Sequence, residues 1–397
     1  MRIIVAPDKF KGVLDARSAA QAIAEGVLRA RPHAEVPVVP MADGGEGTLG
    51  ALLTALTGNR RIVRATGPLG DPVEATIGLI NQATTAVIEL ASISGYTLVP
   101  PDRRDPLQTS TYGLGEVIRT VIECGIEEII IALGGSATVD GGIGMMQALG
   151  MTFLDRAGRL MPGGQEGAGT SQDGSVASLR GHRLGASPLL PRGLAGGDLL
   201  DVSRISWDHP PENIEHVQFT VACDVLNPAC GPNGAAAVFG PQKGADPEGV
   251  QLLERGLSHW VDLLEGAGGR VIRNEPGTGA AGGVALPLLA LTHAAVIPGV
   301  DLVSESYGLT DLIAGADLVI TGEGRLDRQS MMGKVVGAVA RMSRAAGVRC
   351  VALVGATGPG AKDCLSLLDR YETLDAPFDQ TAGRLSELAE RLARDLP

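Results

Sequence analysis

Aromatic residues make up only 3% of this 397-residue chain, so its core must be built from Ala, Val, Leu and Ile. Cysteine is also sparse: Cys124, Cys223, Cys230, Cys350 and Cys364 are odd in number and show no C-x-x-C spacing, which argues against a disulfide framework. Three of them adjoin apolar runs and are expected as reduced core residues. None of the six histidines has metal-ligand spacing, and there is no G-x-S-x-G elbow, so zinc and hydrolase readings are weak. No apolar run approaches the ~20 residues of a membrane span. Positive charge is short as well. Lys and Arg number 33 against 45 Asp and Glu, a formal charge of −12, which argues against nucleic-acid or anionic-membrane partners. Any phosphate site must then be a local pocket of basic side chains or backbone amides. No signal-peptide pattern is read at Arg2–Ala6, a strand-length run followed at once by charge. The expectation is a cytoplasmic protein, monomer or homodimer.

Glycine is abundant, with 56 residues, about twice the average share. The glycines cluster at the ends of apolar runs, which excludes collagen and low-complexity readings. Short β-branched runs alternate with alanine-rich helical stretches, the pattern of α/β layers with parallel strands. Runs at 3–6, 36–39, 129–133, 220–223, 318–320 and 350–354 read as strands, and Asp15 reads as the cap of a helix reaching about Arg31. From Arg61 to Leu90 the runs Ile62-Val63, Thr76–Gly78 and Val87–Glu89 are separated by Gly-Pro and Gly-Asp turns, suggesting antiparallel strands. Length fits two domains. The expected division is 1–60 with 285–397, and 61–284 between them, with a glycine-rich surface excursion at 163–212.

The stretch Thr321-Gly322-Glu323-Gly324-Arg325-Leu326-Asp327 follows the apolar run 318–320 and reads as a charged turn before a helix starting near Ser330. Two carboxylates, an arginine and Lys334 near a helix N-terminus suit an oxyanion, with or without a metal. Met41–Thr48 places Asp43 and Glu46 among glycines; Asp43 fits proton acceptance or metal binding, and equally a helix cap. Ala6–Gly12 puts Lys9 and Lys11 after the first strand, where open α/β sheets hold their ligands. Gly134-Gly135-Ser136, opening the loop to Gly142, matches neither phosphate-loop pattern, yet its amides and hydroxyls form a plausible phosphate nest. A close-packed strand–helix crossing explains those glycines equally well. Asp224 and Asn227 follow another strand, and Lys243 in Gly-Pro-Gln-Lys-Gly fits a phosphate-binding point charge. Taken together, carboxylates and cations beside glycines at strand exits are the parts that phosphoryl transfer needs.

The segments APDKFKG (6–12), MADGGEGT (41–48), LGGSATVDGGIGMMQALG (133–150), ACDVLNP (222–228), GAAAVFGPQKGA (234–245), GAAGG (279–283) and TGEGRLDRQSMMGK (321–334) resemble, in order, the glycerate kinases of bacterial glyoxylate, glucarate and galactarate degradation. The resemblance implies two α/β domains: a flavodoxin-like parallel-sheet domain from both chain ends, and a mixed-sheet domain from the middle. It also implies phosphorylation of D-glycerate by ATP with Mg²⁺, at the 2-hydroxyl, in a cleft between the domains. On that reading Asp43 is the first choice for general base, with Asp224 and Asp327 as rivals. Lys11, Lys243, Arg325 and Lys334 hold substrate and phosphates with Ser136, Gly134, Gly135 and Asn227, and Glu323 and Asp327 are the metal candidates. Position 9 is commonly serine in the family, so Lys9 is given no essential role. A kinase giving 3-phosphoglycerate, or a non-catalytic nucleotide or sugar-acid regulator, are the rival readings; a Rossmann oxidoreductase lacks its fingerprint.

Overall fold

A computed structural model describes residues 1–161, 193–331, 333–375 and 377–396. The chain divides into two compact units, Met1–Leu56 with Pro298–Pro397, and Thr57–Ile297.

The terminal unit is organised by strand β1 (Ile3–Pro7), every residue of which is buried. A strand apolar on both faces needs helices on both sides, as in parallel α/β sheets. The sheet order is β1-β10-β11-β12, with β10 at Leu318–Leu326, β11 at Arg349–Thr357 and β12 at Arg370–Thr373, all parallel. The segment 35–39 continues the sheet outside β1: Ile3 N donates to Glu35 O (2.9 Å), Val5 N to Pro37 O (3.0 Å) and Val39 N to Val5 O (2.8 Å). Counting that edge, the order along the chain is 2-1-3-4-5, the flavodoxin-like arrangement with its switch point between the first and third strands. Those strands are β1 and β10. Helix Ala16–Ala30 is capped by Asp15, whose side chain accepts from Ser18 N. It lies so close to helix Thr381–Arg394 that a Cβ on Gly26 would sit 2.0 Å from Ser386 O.

The charged stretch after Ile320 is a strand, not a turn. β10 runs on to Leu326 because β11 is long enough to pair with it, Arg325 against Ala356 and Leu326 against Thr357. The helix begins at Val335 with Lys334 as its cap residue, after a short 3₁₀ turn at Arg328–Met331.

The middle unit holds a six-stranded mixed sheet. Its order is β2-β3-β4-β5-β8-β9, from β2 (Gly58–Thr66), β3 (Pro72–Ile80), β4 (Thr85–Glu89), β5 (Glu128–Ala132), β8 (Gln218–Cys223) and β9 (Ala294–Pro298). The first three strands are antiparallel, and β4, β5 and β8 are parallel. Residues 285–297, expected with the terminal unit, lie here instead, because Ala285, Leu286, Leu288 and Leu289 are buried in this unit's core. The excursion expected over 163–212 is also partly core. Residues 163–192 lie outside the described residues, but Leu194, Ala195, Leu199 and Val202 are buried, and β7 (Arg204–Ser206) pairs with β6 (Thr152–Leu154). Gln147 Oε1 accepts from Leu194 N (2.8 Å), and Ser110 Oγ donates to Leu194 O (2.7 Å). Those long-range bonds fix a segment whose own sequence has no period.

Candidate active site

In the terminal unit the carboxyl end of β1 lies beside the middle of β10, which runs on past it to Leu326. Pro7 is in register with Gly322, and Asp8 N donates to Gly322 O at 2.8 Å, so Asp8 and Glu323 are the next residues on neighbouring strands. Both are buried, 7% and 8% exposed. Removing a carboxylate from water disfavours its charged form. Burial, with the Asp43 charge second, raises Asp8 to about 7 against the pull of Lys9 and Lys334. Burial raises Glu323 to about 7 as well, the Asp8 and Asp327 charges adding to it, while a hydrogen bond with Ser330 and the Lys334 charge act in the opposite sense. Glu323 Oε1 is buried with no hydrogen-bond partner among the described residues, a costly arrangement that native proteins keep for a reason.

Asp43 reaches this cluster from the glycine-rich loop after the edge strand. Its alternative as a helix cap does not hold. The cap residue of helix Thr48–Ala55 is Gly47, in the left-handed region at φ 100, with no side-chain cap bond. Asp43 instead faces Lys9, with Nζ 3.6 Å from Oδ1, and Lys9 Nζ also donates to Glu46 O at 2.7 Å. Lys9, discounted from the sequence, therefore ties the first strand exit to the Asp43 loop. Gly299 holds the loop from the other side: a Cβ there would lie 2.1 Å from Gly44 Cα, so only glycine permits that approach.

The remaining terminal-unit candidates sit around this group. Lys11 is exposed in the loop after Phe10. Arg325 is mostly exposed on β10, its Nε 4.0 Å from Asp327 Oδ2. Asp327 serves a local turn, with Oδ1 accepting from Gln329 N (2.8 Å) and its own N donating to Ser330 Oγ (3.0 Å). Among the described residues no group of three or more His, Cys, Asp or Glu could by itself hold a metal. Mg²⁺ in kinases needs fewer protein ligands, one or two carboxylates with substrate phosphates and water. The unpartnered Glu323 oxygen fits that demand, whereas Asp327 is already engaged.

In the middle unit the exits of β5 and β8 are packed together. Leu133 N donates to Ala222 O at 3.0 Å, and Gly279 N to Asn227 O at 2.9 Å. The glycine loop after β5 has two halves. Gly134 and Gly135 are accessible, Gly135 at φ 75. Gly141 and Gly142 are packing glycines: a Cβ on Gly141 would lie 2.5 Å from Trp260 Cδ1, and one on Gly142 3.0 Å from Val284 O. The close-packed crossing thus explains residues 137–142, and only 134–136 remain for a ligand. Asp140 is fully buried and structural; its Oδ2 accepts from Thr111 N and Oγ1, both at 2.8 Å.

Lys243, read from its Gly-Pro-Gln-Lys-Gly setting as a phosphate-binding point charge, is a buried side chain. It is 5% exposed, and Nζ donates to Ser136 Oγ at 2.6 Å and Thr138 O at 2.7 Å. Burial lowers it to about 7, partly offset by the Asp140 charge. With its acceptor side used by Lys243, the Ser136 hydroxyl keeps its proton to donate elsewhere. Asp224 is half-buried one residue past β8, and Asn227 Nδ2 donates to Asn233 O at 2.8 Å. Arg104, absent from the sequence candidates, lies over the Tyr96 ring at 3.7 Å and donates to its hydroxyl at 2.6 Å; its carbonyl would be 2.1 Å from a Cβ on Gly244. No motif marks it.

The model of the glycerate kinase family matches residues 3–184 and 188–397. A glycerate kinase from Halalkalibacterium halodurans is 39% identical over 98% of this chain and 97% of its own. A glycerate 2-kinase from Escherichia coli is 36% identical over 100% and 98%. A crystal structure assigned to glycerate kinase 2 of Salmonella typhimurium LT2 superposes with a TM-score of 0.80, at 35% identity over 99% of this chain and 97% of that one. This chain belongs to the glycerate kinase family.

Proposed function

We propose that the enzyme transfers the γ-phosphoryl group of ATP to the 2-hydroxyl of D-glycerate, giving 2-phosphoglycerate. The observation that carries the reading is Asp43, a carboxylate released from capping and set by Lys9 at a strand exit beside the buried carboxyl of Asp8. The Escherichia coli relative's name, glycerate 2-kinase, supports the position of transfer. Asp43 accepts the hydroxyl proton as the oxygen attacks, with Asp224 and Asp327 as rival bases. A positioned base contributes typically 10²–10⁴-fold. Lys11 and Arg325, both solvent-accessible, hold the glycerate carboxylate, and Lys334 offsets the negative charge at Glu323. Gly134, Gly135 and Ser136 offer amides and a hydroxyl to the nucleotide phosphates, and Lys243 acts there through Ser136. Glu323, with Asp327 as the second candidate, would hold Mg²⁺, which supplies charge neutralisation on the transferring phosphates.

Phosphorus NMR of D-glycerate incubated with ATP, Mg²⁺ and the enzyme tests the reading. The expected product resonance is that of 2-phosphoglycerate, with a matching signal in an enolase-coupled assay lacking mutase. A 3-phosphoglycerate resonance overturns the regiochemistry, and no ATP consumption overturns the reaction.

A further inference from the structure

The cluster where β1 ends beside β10 contains one carboxylate with no role so far. Asp8 is fixed there by two backbone hydrogen bonds: its own N donates to Gly322 O (2.8 Å), and Lys9 N donates to its Oδ1 at 2.7 Å. Neither the strand nor the turn needs a charged side chain at that place, since an amide oxygen would accept the same bond. Beside it Glu323 Oε1 is buried without a hydrogen-bond donor among the described residues. Lys9 and Lys334 are the cations acting on Asp8, and Lys334 acts on Glu323, while Lys9 is also engaged with Asp43 and Glu46 O. Buried carboxylate oxygens with an uncompensated negative charge are a hard-cation environment.

Asp327 is the poorer fourth carboxylate. Like Asp8 it accepts one backbone N–H, but Arg325 Nε also approaches its Oδ2 at 4.0 Å, and its side chain is 27% exposed. We infer that Asp8, rather than Asp327, is the second protein carboxylate for the divalent cation, paired with Glu323 across the β1–β10 switch point. The inference rests on the reading of this strand exit as a phosphoryl-transfer site. Two carboxylates leave the other coordination positions to water and phosphate oxygens, as Mg²⁺ prefers. They also place the cation at the fold's ligand-binding end.

Manganese binding to the full chain, followed by electron paramagnetic resonance at pH 8, separates this inference from the kinase reading because it needs no turnover. The wild type is expected to show one tight Mn²⁺ site. Asp8→Asn and Glu323→Gln should each weaken it at least about tenfold, as even outer-shell losses commonly do, while Asp327→Asn should keep it within about twofold. Thermal melting in EDTA supplies a readout that a purely structural residue would not give. Asp8→Asn keeps the acceptor for Lys9 N and removes one of two crowded carboxylates, so its melting temperature should rise. Absence of a tight site in the wild type, unchanged Mn²⁺ affinity in Asp8→Asn, or an equal loss in Asp327→Asn overturns the assignment. So does a lower melting temperature of Asp8→Asn in EDTA. Full glycerate phosphorylation alongside any of these results leaves the kinase reading standing.

Discussion

Lys243→Met should change the pH dependence of stability of the middle unit with a definite sign. The ammonium is 5% exposed and is lowered from 10.5 to about 7, mainly by burial. At roughly 1.4 kcal/mol per pH unit, its charged form is costlier in the fold by on the order of 5 kcal/mol. Between pH 7 and 10.5 the unfolded chain binds a proton that the folded chain has released. The stability of the wild type therefore rises with pH across that window. From pH 7.0 to 8.5 the gain is roughly 1.5 kcal/mol, allowing for half-protonation at the start; Lys243→Met should lack it. The variant also leaves Ser136 Oγ and Thr138 O without their donor, about 1–3 kcal/mol each, so the slope rather than the level is diagnostic. Asp140 loses its nearby cation in the variant; its carboxyl, already raised by burial, moves further up and widens the difference. Cys223 and Cys230, pushed to about 11 by burial, titrate above the window and are common to both proteins. Both tryptophans, Trp207 and Trp260, belong to the middle unit. Urea unfolding followed by tryptophan fluorescence therefore reports this unit alone. Parallel stability curves for the two proteins, or a wild-type stability that falls from pH 7.0 to 8.5, would refute the buried-ammonium argument.

Asp43→Asn should lower kcat about 10²–10⁴-fold and leave the far-ultraviolet dichroism unchanged, since Gly47 rather than Asp43 ends helix Thr48–Ala55; turnover near that of the wild type removes Asp43 as base. Gly141→Ala sets a Cβ 2.5 Å from Trp260 Cδ1 at φ 61, so fluorescence-detected unfolding should show a loss of about 2–4 kcal/mol. Gly12→Ala, with φ 76 and nothing within 4 Å among the described residues, should cost only about 1–2 kcal/mol. Asp8 and Glu323, raised to about 7 from 3.8 and 4.5, hold protons in the fold that the unfolded chain has lost. In EDTA the stability of the terminal unit should therefore fall as pH climbs from about 4.5 to 7. Urea melts followed by far-ultraviolet dichroism should show that slope reduced in the double variant Asp8→Asn, Glu323→Gln.

The strands that could be read from the residues are those buried on both faces. Ile3–Pro7 and residues 129–132 carry unbroken apolar runs because helices and neighbouring strands cover them fully. β12, Arg370–Thr373, carries Arg, Tyr, Glu and Thr, is half-buried throughout and is a strand only because β11 pairs with it. The same dependence hid the continuation of β10. Thr-Gly-Glu-Gly has turn composition, and eight rungs of pairing with β11 override it. Ala285–Leu291 looked like part of a returning strand–helix repeat, yet which core takes an apolar helix depends on complementary packing, here with Trp260 and Leu257 in one buried cluster.

The site was visible where charge stands out against glycine, and hidden where burial decides a residue's role. Asp43, Glu323 and Lys334 interrupt apolar or glycine-rich text, and all three belong to one electrostatic group through Asp8. Asp8 itself stands between Pro7 and Lys9, in a run whose two lysines drew the chemistry to themselves. Its partners on β10, Gly322 and Glu323, lie more than 300 residues away in the chain. One signal was available: Asp8 is the first residue beyond the carboxyl end of the strand that the flavodoxin order places at the switch point. Lys243 reversed in the other direction. A lysine between Pro-Gln and Gly fits a point charge for a phosphate, but its acceptors, Ser136 and Thr138, lie 107 and 105 residues earlier. Local composition can say that a charge is present at a strand exit. Whether that charge faces solvent or is spent holding another loop is set by long-range packing. Lys9 shows the consequence: with Nζ reaching both Asp43 and Glu46 O, a position given no essential role becomes the link that orients the proposed base.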